Sequence, residues 1–300
     1  MEWIVAMQEA ITYMEAHLLE EINYEDVAKH VHTSAYEFHR AFSFLTGITA
    51  NAYIRNRRLS LAGREIVETD GKITDIALKY GYETPESFTK AFTRFHGIAP
   101  KAAREGSGKL VLFSPLNIRL TVDGGKSMDY RIVQTEAKKF IALTRTFKTE
   151  IINDEDNHEI PDFWAECNQN QMLHPIWMLK EDGNRDLYGL CTPTPEGATT
   201  FKYGIGILID EETPDFDAKE LEAKGFEIWD VKPGTYVVFD CVGENADVIG
   251  ETWEKFYKEF LPQSGYEAVD ETDYELYFDD AKGRPGLICE LWIPIRKKAE

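Results

Sequence analysis

"EFHRAFSFLTGITA", residues 37–50, and "SFTKAFTRFHGIAP", residues 87–100, write one short helix twice. Each copy has Phe-x-x-Ala-Phe and then Gly-Ile. Outward from these stretches the match continues: Asp26-Val27-Ala28 corresponds to Asp75-Ile76-Ala77, with one length change at the turn. Each copy reads as a short helix, a tight turn and a second helix. Ser34 followed by Glu37 is a capping-box pattern, and Thr84-Pro85 sets a cap before a proline whose missing N–H costs nothing. Phe38, Ala41, Phe42 and Leu45 share one helical face, as do Phe88, Ala91, Phe92 and Phe95, so these faces are expected in a core. The opposite faces carry Tyr36, His39, Arg40 and Ser43 in the first copy and Glu86, Thr89, Lys90 and Thr93 in the second.

A short helix, a turn and a second helix with a polar outer face is the helix-turn-helix pattern. Between the copies, "TANAYIRNRRLSLAGREIVET" has no proline and only Gly63 as a weak breaker. A helix of roughly twenty residues spans ~30 Å, against about 34 Å between successive major grooves on one face of a duplex. The rod is therefore suited to aim two readers at adjacent grooves. His30, His32 and His39 have no companion ligands nearby, and no metal site is expected.

Charge is unevenly spread along the 300 residues. The chain's net charge is −20, yet residues 1–109 hold 13 Lys/Arg against 15 Asp/Glu, leaving almost all of the excess acid to the second half. Only that half is hostile to nucleic acid. The four cysteines, Cys167, Cys191, Cys241 and Cys289, form no CxxC or Cys/His cluster. Neither a zinc site nor a disulfide framework is indicated, and a reducing cytoplasm is the expected location. The N-terminal stretch carries Glu2, Glu9 and Glu15 and lacks a basic region, unlike a signal peptide. No apolar run reaches membrane-spanning length, so no membrane partner is expected.

Residues 4–104 resemble the DNA-binding domain of the AraC family of bacterial transcription regulators. The second copy, "ITDIALKYGYETPESFTKAFTRFHGIAPKAAR", follows that family's signature, including Gly81-Tyr82, Phe88-x-x-x-Phe92 and Gly97-x-x-Pro100. "YIRNRRLSLA" resembles the start of its linker helix, with Arg58 in a structural place. The resemblance implies that each second helix enters a major groove. Tyr36, His39 and Arg40 would read one groove and Glu86, Thr89 and Lys90 the next, with the capped N-termini at Ser34 and Thr84 near phosphates. Pro85 and Glu86 depart from the amide side chains common in that family; Glu86 can accept from cytosine N4 but repels phosphate.

"EGSGKLVLFSPLNIRLTVDGGKS" separates the halves as a linker with some strand character. Beyond it strands dominate: "DYRIVQ", "FIALTRTF", "LYGLCT", "FKYGIGILI", "TYVVFDCVG", "YELYFD" and "GLICELWIPI", with helices at "IPDFWAECNQNQ" and "VIGETWEKFYKEFLPQSG". The expected architecture is an all-α double helix-turn-helix (a homeodomain-like pair joined by a long helix) over 1–107, and a linker over 108–127. An α+β domain over 128–300 follows, its antiparallel sheet built from two β-α-β-β repeats. In "YELYF", Glu275 and Tyr277 share a face; in "ICELWIP", Glu290 sits between large apolar neighbours and shares its face with Trp292. A carboxylate so placed is exposed, protonated or waiting for a cation. Trp164, Trp177, Tyr188, Phe201, Tyr203, Trp253 and Trp292 are numerous enough to wall a cleft for a cation.

Residues 128–298 resemble the GyrI-like ligand-binding domain of several multidrug-sensing bacterial regulators, through "IWDVKPGTYVVFDCVG", "TWEKFYKEFLPQSGYE", "YELYF" and "CELWIPI". That resemblance implies a groove for amphipathic, often cationic, aromatic compounds. Two glutamates on neighbouring late strands would line it, here Glu275 and Glu290, together with Trp292 and, from the aromatic set, Tyr188, Trp164, Tyr203 and Trp253. The whole then reads as a one-component transcription regulator and not an enzyme. Its partners are double-stranded DNA at two adjacent grooves, a small effector, and RNA polymerase, and no cofactor is expected. Two other readings remain open at this point. Glu275 and Glu290 could serve a hydrolase as acid and base if burial separated their pKa values, or the acidic half could dock a basic protein.

Overall fold

A computed structural model describes residues 2–118, 128–151, 158–180, 185–193, 198–211, 213–280 and 284–298. The chain divides into two compact units: Met1–Thr33 with Ile48–Val122, and Ser34–Gly47 with Asp123–Glu300. The sequence boundaries place residues 34–47 with the other helices; the backbone groups them with the sheet. Residues 119–127 of the expected linker lie outside the described residues.

In the first unit, α1 (Glu2–Ala16), α2 (Tyr24–His30), α4 (Ala50–Glu68), α5 (Ile73–Lys79), α6 (Pro85–His96) and α7 (Pro100–Arg104) follow in order, with α3 (Ala35–Thr46) assigned to the second unit. The caps explain where these helices begin. Asn23 closes a full capping box on α2 with Asp26, while Thr49 and Thr84 accept from Ala52 N and Ser87 N. Gly47 and Gly97, both at φ 76°, end α3 and α6 in the left-handed conformation. Between α5 and α6 the chain turns at Gly81 (φ 85°), and the matching position of the first copy, His32, adopts φ 56°. The turn is thus repeated in backbone even where glycine is not repeated in sequence.

The rod α4 is a continuous helix of 19 residues, about 28 Å long. Gly63 has a packing role in it: a Cβ there would stand 2.7 Å from His96 Nε2, which bonds Leu59 O at 3.0 Å. Arg58 bonds the backbone oxygens of Leu18 and Glu20, the structural place expected of it. Leu59, Ala62, Ile66, Ile76, Phe88 and Phe92 form one core on this rod. The segment after α7 forms no strand as far as residue 118. Its amides at Val111, Phe113, Leu116 and Ile118 donate to side chains of His96, Ser60, Tyr53 and Gln8 instead. With no sheet to join, side chains satisfy its backbone.

In the second unit, nine strands among the described residues form one antiparallel sheet: β1 (Arg131–Thr135), β2 (Lys138–Lys148), β3 (Leu187–Cys191), β4 (Thr200–Ile209), β5 (Phe226–Val231), β6 (Gly234–Val242), β7 (Tyr266–Ala268), β8 (Asp273–Tyr277) and β9 (Leu287–Lys297). The spatial order is β1-β6-β9-β8-β3-β4-β2-β5, with β7 beside β9. Helices α8 (Glu159–Gln169), α9 (His174–Trp177), α10 (Ala218–Glu222) and α11 (Asp247–Lys255) interrupt the strands; α11 runs through a π-helical turn, Phe256–Phe260, into α12 (Leu261–Gln263).

Register fixes what each face carries. Gly189 of β3 stands opposite Glu275 of β8, which stands opposite Leu291 of β9; one residue along, Tyr188, Leu276 and Glu290 are aligned. Successive side chains alternate faces. Hence Asp273, Glu275 and Tyr277 share one face with Tyr203, while Glu290 and Trp292 share the other with Tyr188 and Tyr274. The first face packs against α8 through Phe147, Phe163, Phe201, Tyr203 and Ile205. On the second, Phe140, Tyr188, Trp229, Tyr236 and Tyr274 form a separate aromatic core.

Candidate functional site

The two repeated helices meet different fates. On α6 only Phe88, Phe92 and His96 are buried, and Thr84, Glu86, Thr89 and Lys90 all face solvent. On α3 burial goes nearly all round: Ala35, Tyr36, Phe38, His39, Arg40, Ala41, Phe42 and Ser43. The outer face expected to read DNA, Tyr36, His39 and Arg40, is therefore covered in this structure. Ser34 caps α3 as expected, accepting from Glu37 N, and also bonds Asp270. The other half of the expected box is not made: the Glu37 carboxylate turns to Arg40.

Arg40 is 4% exposed, so a guanidinium is buried and needs a full set of partners. It donates to Asp273 Oδ2 at 2.6 Å, to Tyr36 OH at 3.1 Å and to Glu37. Its plane lies over the rings of Trp253 (4.2 Å) and Tyr36 (4.7 Å). Burial pushes the carboxyls of Asp273 and Asp270 up, and that of Glu37 to about 7, against the pull of Arg40. The Tyr36 ring packs 5.1 Å from Phe201, and Phe44 stacks on Trp253 and Tyr257.

Two residues along β8 from Asp273, on the same face, stands Glu275. Its Oε2 accepts from Tyr203 OH (2.8 Å) and Tyr277 OH (3.0 Å), and Trp164 Nε1 donates to Tyr203 OH (2.9 Å). The indole of Trp164 leans on Tyr277 at 4.9 Å. Gly189 makes this possible, because a Cβ there would fall 2.2 Å from Tyr203 OH and 2.6 Å from Glu275 Oε2. Burial drives the Glu275 carboxyl up to about 7, more strongly than the two phenols lower it. No basic side chain among the described residues pairs with it. A half-neutral carboxyl among three aromatic side chains has the chemistry to accept a cation: ionisation on binding would replace a costly buried charge by a paired one. A cavity of about 310 Å³ is lined by Tyr277 with Trp177, Arg185, Leu187, Phe278 and Asp279.

Glu290 does something else. It is 3% exposed and already paired, its Oε1 lying 2.6 Å from Arg131 Nη2 and 2.5 Å from Arg284 Nη1, with Trp292 Nε1 donating to Oε2 at 3.0 Å. Lys138 lies over the Trp292 and Tyr274 rings at 4.7 and 5.1 Å and donates to Tyr274 OH. The expectation that Glu275 and Glu290 line one groove is thereby corrected. They stand on opposite faces of the sheet, and Glu290 is not waiting for a cation, because the chain supplies two. The aromatic set splits likewise, with Trp164 and Tyr203 beside Glu275, Trp253 beside Arg40, and Tyr188 and Trp292 on the face of Glu290. The acid–base pairing of a hydrolase falls for the same reason, since no single substrate can meet carboxylates on two sides of a sheet. Asp273 and Tyr277, which complete the Glu275 face, were missed as site residues although their two-residue spacing from Glu275 points to them. Arg131, Arg284 and Lys138 carry no local signal at all.

Comparisons with known proteins match two stretches of the chain. Residues 128–296 match the GyrI-like small molecule binding domain, and residues 27–106 match a helix-turn-helix domain. The chain is 39% identical to the helix-turn-helix-type transcriptional regulator YbfP of Bacillus subtilis (strain 168), over 33% of this chain and 34% of that one. It is 31% identical to the transcriptional activator AarP of Providencia stuartii, over 36% of this chain and 83% of that one. It is 27% identical to the right origin-binding protein of Escherichia coli (strain K12), over 97% and 98%. The chain thus spans about a third of YbfP and nearly the full length of the origin-binding protein. No described helix is long and apolar enough to cross a membrane. With helix-turn-helix units at one end and a GyrI-like domain over more than half its length, the chain belongs to the AraC-type transcription regulators that carry a C-terminal GyrI-like small molecule binding domain.

Proposed function

We propose that this regulator senses a planar aromatic cation on the Glu275 face of its sheet and reads DNA through the outer faces of α6 and α3. The supporting observation is the state of Glu275: a carboxyl raised to about 7 by burial, held by two phenols and walled by Trp164, with no cation of its own among the described residues. Each aromatic face adds attraction of ~0.5–2 kcal/mol to a cation. On the DNA side, Thr84, Glu86, Thr89 and Lys90 are exposed at and along α6, which supports their meeting a major groove, with Tyr36, His39 and Arg40 the corresponding set on α3. A regulator so built acts at promoters, where RNA polymerase is its further partner.

The test is calorimetric titration of the full-length chain with 4-amidinobiphenyl, an aromatic cation with a planar amidinium head. Glu275→Gln is expected to weaken binding at least tenfold at pH 8, and Glu290→Gln to leave it within twofold. Equal losses in both variants, or none in either, would remove Glu275 from the site. The DNA arm is selection of duplexes from a random pool by the full-length chain; failure to enrich any sequence at moderate salt would defeat the groove-reading assignment.

A further inference from the structure

Resting on that reading, we propose that α3 is the resident ligand of the effector cleft. The Arg40 guanidinium, with Tyr36 beside it, fills the acid–aromatic seat next to Glu275, so a planar cationic effector and the seated α3 exclude one another. Release of α3 is then what frees the first reading helix for DNA.

Four observations carry this. Arg40 is itself a planar, delocalised cation, and it is held as such a ligand would be: a carboxylate in its plane, Asp273, and an indole under its face, Trp253. The seat is continuous with the Glu275 site, because Asp273 and Glu275 are alternate residues of β8 on one face, about 6.6 Å apart along the strand. Tyr36 belongs to the same apolar cluster as Tyr203, the phenol that holds Glu275. Finally, α3 packs against α11 and the π turn after it, so the cover is a whole helix and not one side chain. Trp164 of α8 packs on the two phenols that hold Glu275, while Arg40 of α3 covers the neighbouring Asp273.

The second copy of the same helix provides the contrast. At the positions of Tyr36, His39 and Arg40, α6 has Glu86, Thr89 and Lys90, and all three are exposed. A helix whose outer face is meant for a groove is open in one copy and stoppered in the other. Because a ligand shifts an equilibrium only through differential affinity for its two states, the exclusion gives the effector its leverage: it binds only the state in which α3 is out.

The experiment uses the full-length chain and a duplex it has itself enriched from a random pool. Asp273→Asn, which removes the charge from the seat with little change of volume, is expected to bind that duplex at least tenfold more tightly than the wild type. Hydrogen exchange should show residues 35–46 losing protection in this variant. With the wild type, saturating 4-amidinobiphenyl should produce the same two changes, an arm that stands even if Asp273→Asn misfolds. Unchanged DNA affinity and unchanged protection of residues 35–46 in both arms overturn the proposal while leaving the DNA reading intact. Weaker DNA binding with the probe overturns it as well. If no duplex is enriched by either form, the underlying DNA assignment has failed; continued release of α3 by the probe would then still support the shared seat.

Discussion

With a cationic effector seated on Glu275 as proposed, the protonation of that carboxyl would make affinity depend on pH, with the sign set by its burial. Its carboxyl ionises near pH 7 because burial opposes the charge. A bound cation favours the ionised form and lowers the pKa by roughly 1–3 units. Below pH 7 each molecule bound must therefore displace a proton, and affinity falls as pH falls, by at most tenfold per unit. Taking about two units for the shift, the loss from pH 7 to 5 is about 25-fold, or ~1.9 kcal/mol, and the full span from about pH 9 to about pH 3 approaches about 100-fold before it levels off. Calorimetry in two buffers of different ionisation enthalpy counts the protons directly. With a free-site pKa of about 7 and a bound-state value about two units lower, about 0.8 proton should leave per cation at pH 6 and about 0.1 at pH 8. Tyr203, Tyr277 and Trp164 face the carboxyl and do not titrate in this window, whereas Asp273 on the same strand and Glu37 on α3, itself held at about 7, belong to the adjoining seat. Glu275→Gln separates them: the release that disappears in this variant is the part due to Glu275. A cation affinity flat between pH 5 and 8, or a pH slope undiminished in Glu275→Gln, would refute the reasoning.

Folding stability should carry the opposite signature. Between about 4.5 and 7 the folded chain holds the Glu275 proton and the unfolded chain has lost it, so stability declines as pH rises through that window, by ~3 kcal/mol at most. Thermal melts of Glu275→Gln should lack this share of the decline. Gly189→Ala forces a methyl to within 2.2 Å of Tyr203 OH; overpacking of this kind costs ~1–3 kcal/mol, and chemical denaturation should show it together with loss of the cation site. Lys90→Ala, on the open face of α6, should lower DNA affinity and reduce the slope of log K against log salt by ~0.9 if Lys90 meets a phosphate. Phe88→Ala, emptying the core on α4, should destabilise its unit by ~3–5 kcal/mol in a melt.

Much of the helical half was legible because its signals are local. Glycines 47 and 97 end helices where a left-handed residue is needed, Thr84 caps the helix that Pro85 begins, and the spacing of Phe88 and Phe92 states which side is core. The sheet was legible as strands but not as faces. Alternation shows which residues of one strand lie together; it does not show how one strand is paired with the next. Nine residues separate the end of β8 from the start of β9, too long a connection for a turn type to set the register, and a slip of one residue exchanges the faces. Hence Glu275 and Glu290, each read correctly within its own strand, were joined to one groove when the pairing puts them on two. The partners of Glu290 are equally silent in sequence, since Arg131 lies 159 residues before it and meets it only across β6.

The fate of α3 follows from a difference between the copies that the repeat itself obscures. Both helices bury two phenylalanines and both end in Gly-Ile, so their inner faces are interchangeable as patterns. Their outer faces are not: Tyr36 and Arg40 against Glu86 and Lys90. Lysine is a compact, strongly hydrated charge that is costly to bury. Arginine is planar, weakly hydrated, able to pair in its plane and to stack above and below it. At these outer-face positions only the first helix therefore carries a cation that an acidic, aromatic cleft can pair and stack, with Nε alone of its nitrogens left without a partner, and Asp273, Glu37 and Trp253 supply that cleft. The same properties suit arginine to the edge of guanine and to phosphate. One side chain thus fits two incompatible destinations, the groove of a duplex and the face of a sheet, and a competitor for either place biases the choice between them.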